Sequence, residues 1–268
     1  MFLSRIRSSA LLPLGILTAC ALAAPFQVTR ADILVWDADA GTVAAQDGTG
    51  TWTVGQPNWL NQSLALDNQS WVDGSHAVFG AGIGTAGTVT LGGPITVGNL
   101  TLDPTGAGSY TLAGSQTLTL SNSTLTANTA GTISAILGGS TGWMKAGTEQ
   151  LTLSGSISNT NSGTVTVTAG RLHLAKTGGA RALASDVLLD GGVLTLASSN
   201  QIAPTSNISL VNQSSVFNGT GVNGGPAGVT QTLASLSVAG GTFNSGSGSN
   251  WTITGELSFI GGTPASIY

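Results

Sequence analysis

The chain has 268 residues, of which 40 are glycine, 41% are hydrophobic and only 7% are charged. This balance excludes an intrinsically disordered chain, because such chains combine few hydrophobic residues with high net charge. The net charge is −4, and no lysine or arginine occurs between Asp32 and Met144. A nucleic-acid-binding surface needs clustered basic residues, so that class of function is excluded too.

The first segment has the pattern of a secretory signal peptide. Arg5 and Arg7 form a basic start, and the apolar run Leu11–Ala24 follows. We expect cleavage after Ala31, with Ala23 as the alternative site, so residues 1–31 are predicted to be removed. The apolar run is shorter than the ~20 residues that a membrane-spanning helix needs. The sequence therefore predicts a secreted or cell-surface protein without a transmembrane span after signal removal.

The single cysteine lies inside this signal segment. Cys20 ends the phrase Leu17-Thr-Ala-Cys20, which is similar to a bacterial lipoprotein box. The alternative is a small residue within the apolar run, because apolar residues continue to Ala24. Under either interpretation the exported chain has no disulfide bond, and packing must supply its stability.

Residues 32–82 form a segment that is rich in tryptophan. Four of the six tryptophans of the chain lie here, namely Trp36, Trp52, Trp59 and Trp71. A stack of repeats needs a terminal cap with large apolar groups, and this is the interpretation that we favour. The alternative is a carbohydrate-binding platform on which exposed rings stack against sugars. The two hypotheses differ in whether the four rings are buried or exposed.

Residues 83–268 repeat a short strand phrase in which apolar residues alternate with threonine or serine. Examples are Gly98-Asn-Leu-Thr-Leu, Leu151-Thr-Leu-Ser-Gly and Gly192-Val-Leu-Thr-Leu. Such alternation is typical of half-buried strands. Equivalent phrases recur every 21 or 22 residues, as at Val165, Val187 and Ile208. This near-constant spacing predicts an all-β fold, a right-handed parallel β-helix, with a β-sandwich as the alternative.

The end of the chain follows directly on two apolar strand phrases. Trp251–Thr254 and Leu257–Ile260 contain no charge, and Glu256 lies between them. We expect the chain either to be released or to be a shortened, C-terminally truncated member of a longer family. An uncovered apolar edge invites pairing with another chain, so end-to-end self-association is also expected.

These phrases resemble secreted bacterial proteins with autotransporter-associated β-strand repeats. The resemblance covers nearly the whole exported chain and is carried by short phrases such as Trp36-Asp-Ala-Asp, the stretch from Gly142 to Gly155 and the stretch from Gly163 to Leu174. The usual repeat has glycine where this chain has Glu149 and Gln150. The resemblance implies a β-helical surface or passenger-type module and transfers no catalytic residue to this chain.

Groups that could perform catalysis are scattered along the sequence. Glu149 and Glu256 are isolated, Asp186 and Asp190 flank one strand phrase, and the two histidines have no neighbouring metal ligand at the usual spacing. We therefore expect no enzyme activity, no cofactor and no metal site. The predicted function is an exported structural or adhesive surface module with an unidentified surface or glycan partner. The alternative is a carbohydrate-binding or carbohydrate-active β-helix protein that uses the tryptophan-rich segment.

Overall fold

A computed structural model describes residues 32–42, 44–80, 83–121, 123–219, 228–260 and 266–267. These residues belong to one compact unit, which spans residues 31–268. The predicted signal segment, Cys20 and the proposed cleavage sites lie outside the described residues.

The described residues form short β-strands and no helix. The strands are β1 Ile33–Trp36, β2 Gln46–Asp47, β3 Gly50–Trp52, β4 Trp59–Asn61, β5 Leu66–Gln69, β6 His76–Phe79, β7 Ile83–Gly84, β8 Thr88–Leu91, β9 Ile95–Val97, β10 Leu100–Leu102, β11 Thr111–Ala113, β12 Thr117–Leu120, β13 Thr124–Ala127, β14 Gly131–Ile133, β15 Ile136–Gly138, β16 Trp143–Ala146, β17 Gln150–Leu153, β18 Val165–Val167, β19 Arg171–Leu174, β20 Val187–Leu189, β21 Val193–Leu196, β22 Asn207–Leu210, β23 Val216–Asn218, β24 Thr230–Leu233, β25 Ser235–Val238, β26 Thr242–Asn244, β27 Asn250–Ile253, β28 Leu257–Phe259 and β29 Ser266–Ile267.

Parallel strands from successive turns stack into a β-solenoid, which confirms the predicted fold. A 12-stranded sheet runs from β28 through β16 and β6 to β1, β4 and β5, and a ten-stranded sheet runs from β29 to β3. The residues that the repeat spacing aligned in the sequence are paired in the sheet: Val165 pairs with Val187, and Val187 pairs with Ile208. Each strand in the interior of the parallel part of these sheets thus hydrogen-bonds to the turn before it and the turn after it.

A third side completes each turn, and its construction changes along the solenoid. Strands β9, β12 and β15 form a three-stranded parallel sheet in the early turns, and β24 pairs with β27 near the other end. Between these two sheets, the third side consists of irregular chain with the isolated bridge between Leu183 and Ile202. The core lies between the three sides and is filled by alternate leucine, valine and isoleucine residues from each strand.

The first end of the solenoid differs from the rest because it contains antiparallel pairs. Strand β4 pairs antiparallel with β1, and β5 pairs antiparallel with β4. This folded-back pair occupies the edge that the first turn would otherwise leave open. The sequence had indicated a distinct segment here, but not its antiparallel strands.

Candidate binding surface

The four tryptophans of the N-terminal segment lie in the interior. Trp36, Trp52 and Trp59 are 0% exposed and Trp71 is 1% exposed. Their rings contact one another, with centroids 4.7 Å apart for Trp52 and Trp71 and 5.3 Å apart for Trp36 and Trp59. Phe79 packs against three of these rings. The described arrangement thus leaves no ring face open for a sugar to stack on, and it fills the first end of the core.

Two aspartates tie this aromatic cluster to its surroundings. The Tyr110 hydroxyl donates to Asp47 Oδ1 over 2.7 Å and accepts from the Gly48 N–H. Burial and this bond to a carboxylate raise the pKa of Tyr110 well above its usual range. Asp37 Oδ1 accepts the N–H groups of Asp39 and Gln46, and burial raises its pKa nonetheless. The Tyr110 bonds link the first turn to the turn that contains β11, two strands away in the ten-stranded sheet, and the Asp37 bonds hold the chain before β2 within the first turn.

A column of polar side chains runs along the outer face of the ten-stranded sheet. The strand registers align these residues one per turn, so each side chain lies beside its equivalent in the next turn. The column consists of Thr88, Thr111, Thr132, Thr152, His173, Thr195, Asn218 and Asn244. Thr195 is only 1% exposed, so the exposed part of the column is interrupted there. We call it the outer polar column.

The middle of the outer polar column holds its histidine. His173 Nδ1 lies 2.8 Å from Thr195 Oγ1. Burial and the charge of Arg171 lower the pKa of His173, so the imidazole is neutral near pH 7. The alternation with Leu172 and Leu174 had predicted an outward-facing histidine. It does face outward, where it is half-buried.

Beside the column lies a shallow groove of about 430 Å³. Glu149, Gln150, Arg171 and Val193 line it, together with the turn glycines Gly170 and Gly191. Arg171 Nη1 donates to Gln150 Oε1 over 3.4 Å, so the guanidinium keeps further donors for an external group. Column and groove together present hydroxyls, amides, one cation and one carboxylate on a single outer face.

The other polar residues singled out from the sequence support the backbone of adjacent turns. Asp186 Oδ1 accepts from the N–H and the side-chain amide of Asn207, over 2.7 and 3.1 Å. The Asn99 N–H donates to His76 Nδ1 over 2.8 Å. Within the described ranges, no three histidine, cysteine, aspartate or glutamate side chains come together as metal ligands. These groups are thus bound into the scaffold instead of being gathered at one point.

Sequence reasoning missed two buried lysines. Lys145 is 0% exposed, and its Nζ donates to the carbonyls of Ala146, Gly147 and Ala169 over 2.8–3.0 Å. Lys176 is 1% exposed, and its Nζ donates to the Ser154 carbonyl. Burial lowers the pKa of each to about 8. The sequence pattern could have predicted their burial, because each lysine lies at an inward-facing position of the alternation: Lys145 within β16, and Lys176 two residues after the buried Leu174.

A second aromatic cluster near the other end was also missed. Phe217, Phe243 and Trp251 pack with ring centroids 5.0–5.4 Å apart. Their sequence positions are far apart, and only the register of β23 with β26 brings the two phenylalanines together. Large rings thus fill the core near both ends of the described solenoid.

Among the residues described, no helix is long and apolar enough to span a membrane. The chain matches no protein-family model and no solved structure. It is similar to the Adhesin BmaC autotransporter of Brucella suis biovar 1 (strain 1330), with 37% identity over 194 residues. This similarity covers 70% of the chain and 5% of that protein, so the chain spans a small part of the relative's length.

Proposed function

We propose that this chain is an exported, non-enzymatic β-solenoid module that is displayed at the cell surface and acts in adhesion. The observation that carries the proposal is the 37% identity to an autotransporter adhesin over 70% of the chain. The β-solenoid fold agrees with it, because stacked turns present long, regular outer faces instead of a deep pocket.

The outer polar column and its groove form the contact face in this proposal. Their hydroxyl and amide groups suit hydrogen bonding to a glycan or an extended peptide, and Arg171 adds a donor for a carboxylate. The buried tryptophans contribute to stability and not to ligand contact.

Adhesion is tested with beads that carry residues 31–268. We expect such beads to bind to cultured cells, to immobilised matrix proteins or to a glycan array more strongly than beads that carry albumin. The paired change Arg171→Ala with His173→Ala should lower binding at least about tenfold, or about 1.4 kcal/mol. The matched control is Thr124→Ala with Thr166→Ala, on the outer face of the other sheet. Binding no stronger than that of albumin would refute the adhesive role.

Export is tested by mass spectrometry of the protein recovered from the medium or from the cell surface. The proposal expects an N-terminus near Asp32. An acylated Cys20 would instead identify a lipoprotein, and an intact Met1 would contradict export.

The non-enzymatic part of the proposal is tested by incubating the same protein with a panel of polysaccharides. We expect no new reducing ends. Cleavage that is lost on Glu149→Ala or Asp186→Ala would overturn this part and leave the surface location untouched.

A further inference from the structure

The exposed corner between β22 and β23 contains the triplet Asn212-Gln213-Ser214. An asparagine followed by any residue except proline and then by serine or threonine is the acceptor sequence of N-linked glycosylation. Residues 212–214 are exposed, and Val211 before them is 50% exposed. The triplet belongs to neither strand, so its side chains are open to an enzyme that acts on the folded chain.

Hydrogen bonds hold the amide of Asn212 in one orientation. Its Oδ1 accepts from the Ser214 hydroxyl over 2.9 Å and from the Ser214 N–H over 3.1 Å. Its Nδ2 donates to Asp190 Oδ1, in the preceding turn, over 3.3 Å. Two donors at the oxygen draw electron density away from the nitrogen, and a carboxylate beside the nitrogen can take its proton. Because an amide nitrogen is a poor nucleophile until it loses a proton, both contacts favour its reaction.

The other acceptor triplets that the structure describes completely lack this arrangement. Four of them overlap strands β5, β10, β22 and β27 and begin at Asn68, Asn99, Asn207 and Asn250. The triplet at Asn61 does form a turn, in which Oδ1 accepts from the Ser63 N–H, but Asn61 is only 3% exposed. Among these described triplets, an exposed amide that accepts both the N–H and the hydroxyl of its own serine occurs at Asn212.

We propose that Asn212 is a glycosylation site, at which a transferase attaches a sugar from a diphosphate-activated donor. Nδ2 forms a bond to the anomeric carbon of the sugar while the bond from that carbon to the diphosphate oxygen breaks. The diphosphate leaves with the electron pair of the broken bond, and the proton from Nδ2 passes to the Asp190 carboxylate. Nothing is oxidised or reduced. The modification does not depend on what the outer polar column binds.

The first test is peptide mass spectrometry of the protein recovered from the cells that produce it. After denaturation, chymotrypsin cleavage behind Leu210 and Phe217 releases residues 211–217, in which Asn212 is the one asparagine. We expect this peptide to carry added sugar, and fragmentation should locate the sugar on Asn212. The size of the added group distinguishes two sources, because a nucleotide-linked donor transfers one monosaccharide and a lipid-linked donor transfers a preassembled oligosaccharide.

The second test compares variants that are produced in the same cells. Ser214→Ala removes one donor to the amide and should lower the modified fraction of the peptide at least about tenfold. Ser214→Thr keeps the hydroxyl and should retain the modification. Gln213→Ala is the matched control, because the middle position of the triplet accepts any residue except proline. Asp190→Asn loses the proton acceptor and should also lower the modified fraction. Circular dichroism checks that each variant keeps its strands.

The triplet at Asn61 serves as an internal control in the wild-type protein and should stay unmodified. Absence of sugar from the peptide 211–217 of the wild-type protein would overturn the proposal. So would a sugar on a serine of that peptide, modification that survives Ser214→Ala, or equal modification at Asn61. An unchanged modified fraction in Asp190→Asn would overturn the part of Asp190 in the step.

Discussion

Lys145 and Lys176 are buried ionisable groups; the charge of Glu149 offsets the effect of burial on the pKa of Lys145 only in part, and no carboxylate of the described residues offsets it for Lys176. Backbone carbonyls receive their N–H groups instead, and burial lowers the pKa of each amine to about 8. Holding the charged form in the core costs free energy near pH 7, and that cost falls when the amine loses its proton. The two residues therefore make the stability of the solenoid depend on pH in the alkaline range.

We predict that stability rises between pH 8 and pH 10. In the unfolded chain a lysine keeps a pKa near 10.4, so over this range the unfolded state binds more protons than the folded state. Raising the pH then favours folding by roughly 1–3 kcal/mol. Urea denaturation at several pH values measures the effect.

Replacing both lysines by methionine should flatten this pH dependence. Arg171→Met is the control, since an arginine does not titrate below pH 12. A wild-type profile that falls from pH 8 to pH 10 would contradict the prediction.

The N-terminal aromatic cluster gives the second prediction at the scale of residues. Trp52→Ala or Trp59→Ala should lower the free energy of unfolding by about 3–5 kcal/mol, because each leaves a large cavity in the core. Val72→Ala, at a neighbouring position that is 64% exposed, should change it by less than about 0.5 kcal/mol. Tryptophans that served mainly in sugar stacking would behave like Val72 in a denaturation experiment.

At the scale of elements, amide side chains take over the role of strands on the third side. Asn159 Oδ1 accepts from the Leu137 N–H, and its Nδ2 donates to the Ala182 carbonyl. The side-chain amide of Gln201 accepts from the N–H of Lys176 and donates to its C=O. The side-chain amide of Gln231 makes the same two bonds with the backbone of Ile202. Each amide thus satisfies one N–H and one C=O of adjacent turns, as a ladder of paired strands would.

We predict that Gln201→Leu lowers the free energy of unfolding by about 2–4 kcal/mol. Leucine has a similar volume but leaves the buried Lys176 N–H without its acceptor, and it removes one of the two donors to the Lys176 C=O, which keeps the Ser198 hydroxyl. Gln213→Leu, at an exposed position, is the matched control. Hydrogen exchange should report faster exchange at the Lys176 amide. An unchanged rate there would show that the amide does not hold the two turns together.

The buried amides of the third side could not be predicted from the sequence, whereas the register of the strands could. The register that pairs Val165 with Val187 and Val187 with Ile208 can be predicted from the sequence, because apolar residues alternate with small polar residues at constant spacing. Gln201 lies among serine and asparagine, so its surroundings look like an ordinary turn. Nothing local distinguishes an amide that faces solvent from one that bonds the backbone of the preceding turn.

At the scale of the whole molecule, each turn contacts mainly its two neighbours. The outer polar column is a direct product of this arrangement, and its position could be inferred from the strand spacing. The contact between Phe217 and Phe243 could not, because the paired residues are 243 − 217 = 26 positions apart and so depart from the spacing of 21 or 22. A regular repeat is thus predictable from the sequence, and irregular turns are not.

We predict that duplicating residues 165–186 gives a longer, folded solenoid. The insert is one complete turn, so Val165 of the second copy pairs in register with Val165 of the first. Its length should increase by about 5 Å, the spacing between paired strands, as measured by small-angle scattering.

Duplicating only residues 165–175 is the control for this experiment. Half a turn displaces every later strand from its sheet, and the strand signal in circular dichroism should fall. Equal tolerance of both inserts would mean that register does not govern the fold.

The burial of Lys145 and Lys176 has a practical consequence for how the molecule meets its surroundings. They are the two lysines of the chain, and both are essentially inaccessible. The folded surface therefore offers no side-chain amine to acylating reagents, to aldehydes or to proteases that cut after lysine. Labels and supports that couple through amines will attach at the N-terminus, which orients every molecule in the same way. A protein with this surface resists cleavage after lysine and is simple to immobilise in one orientation.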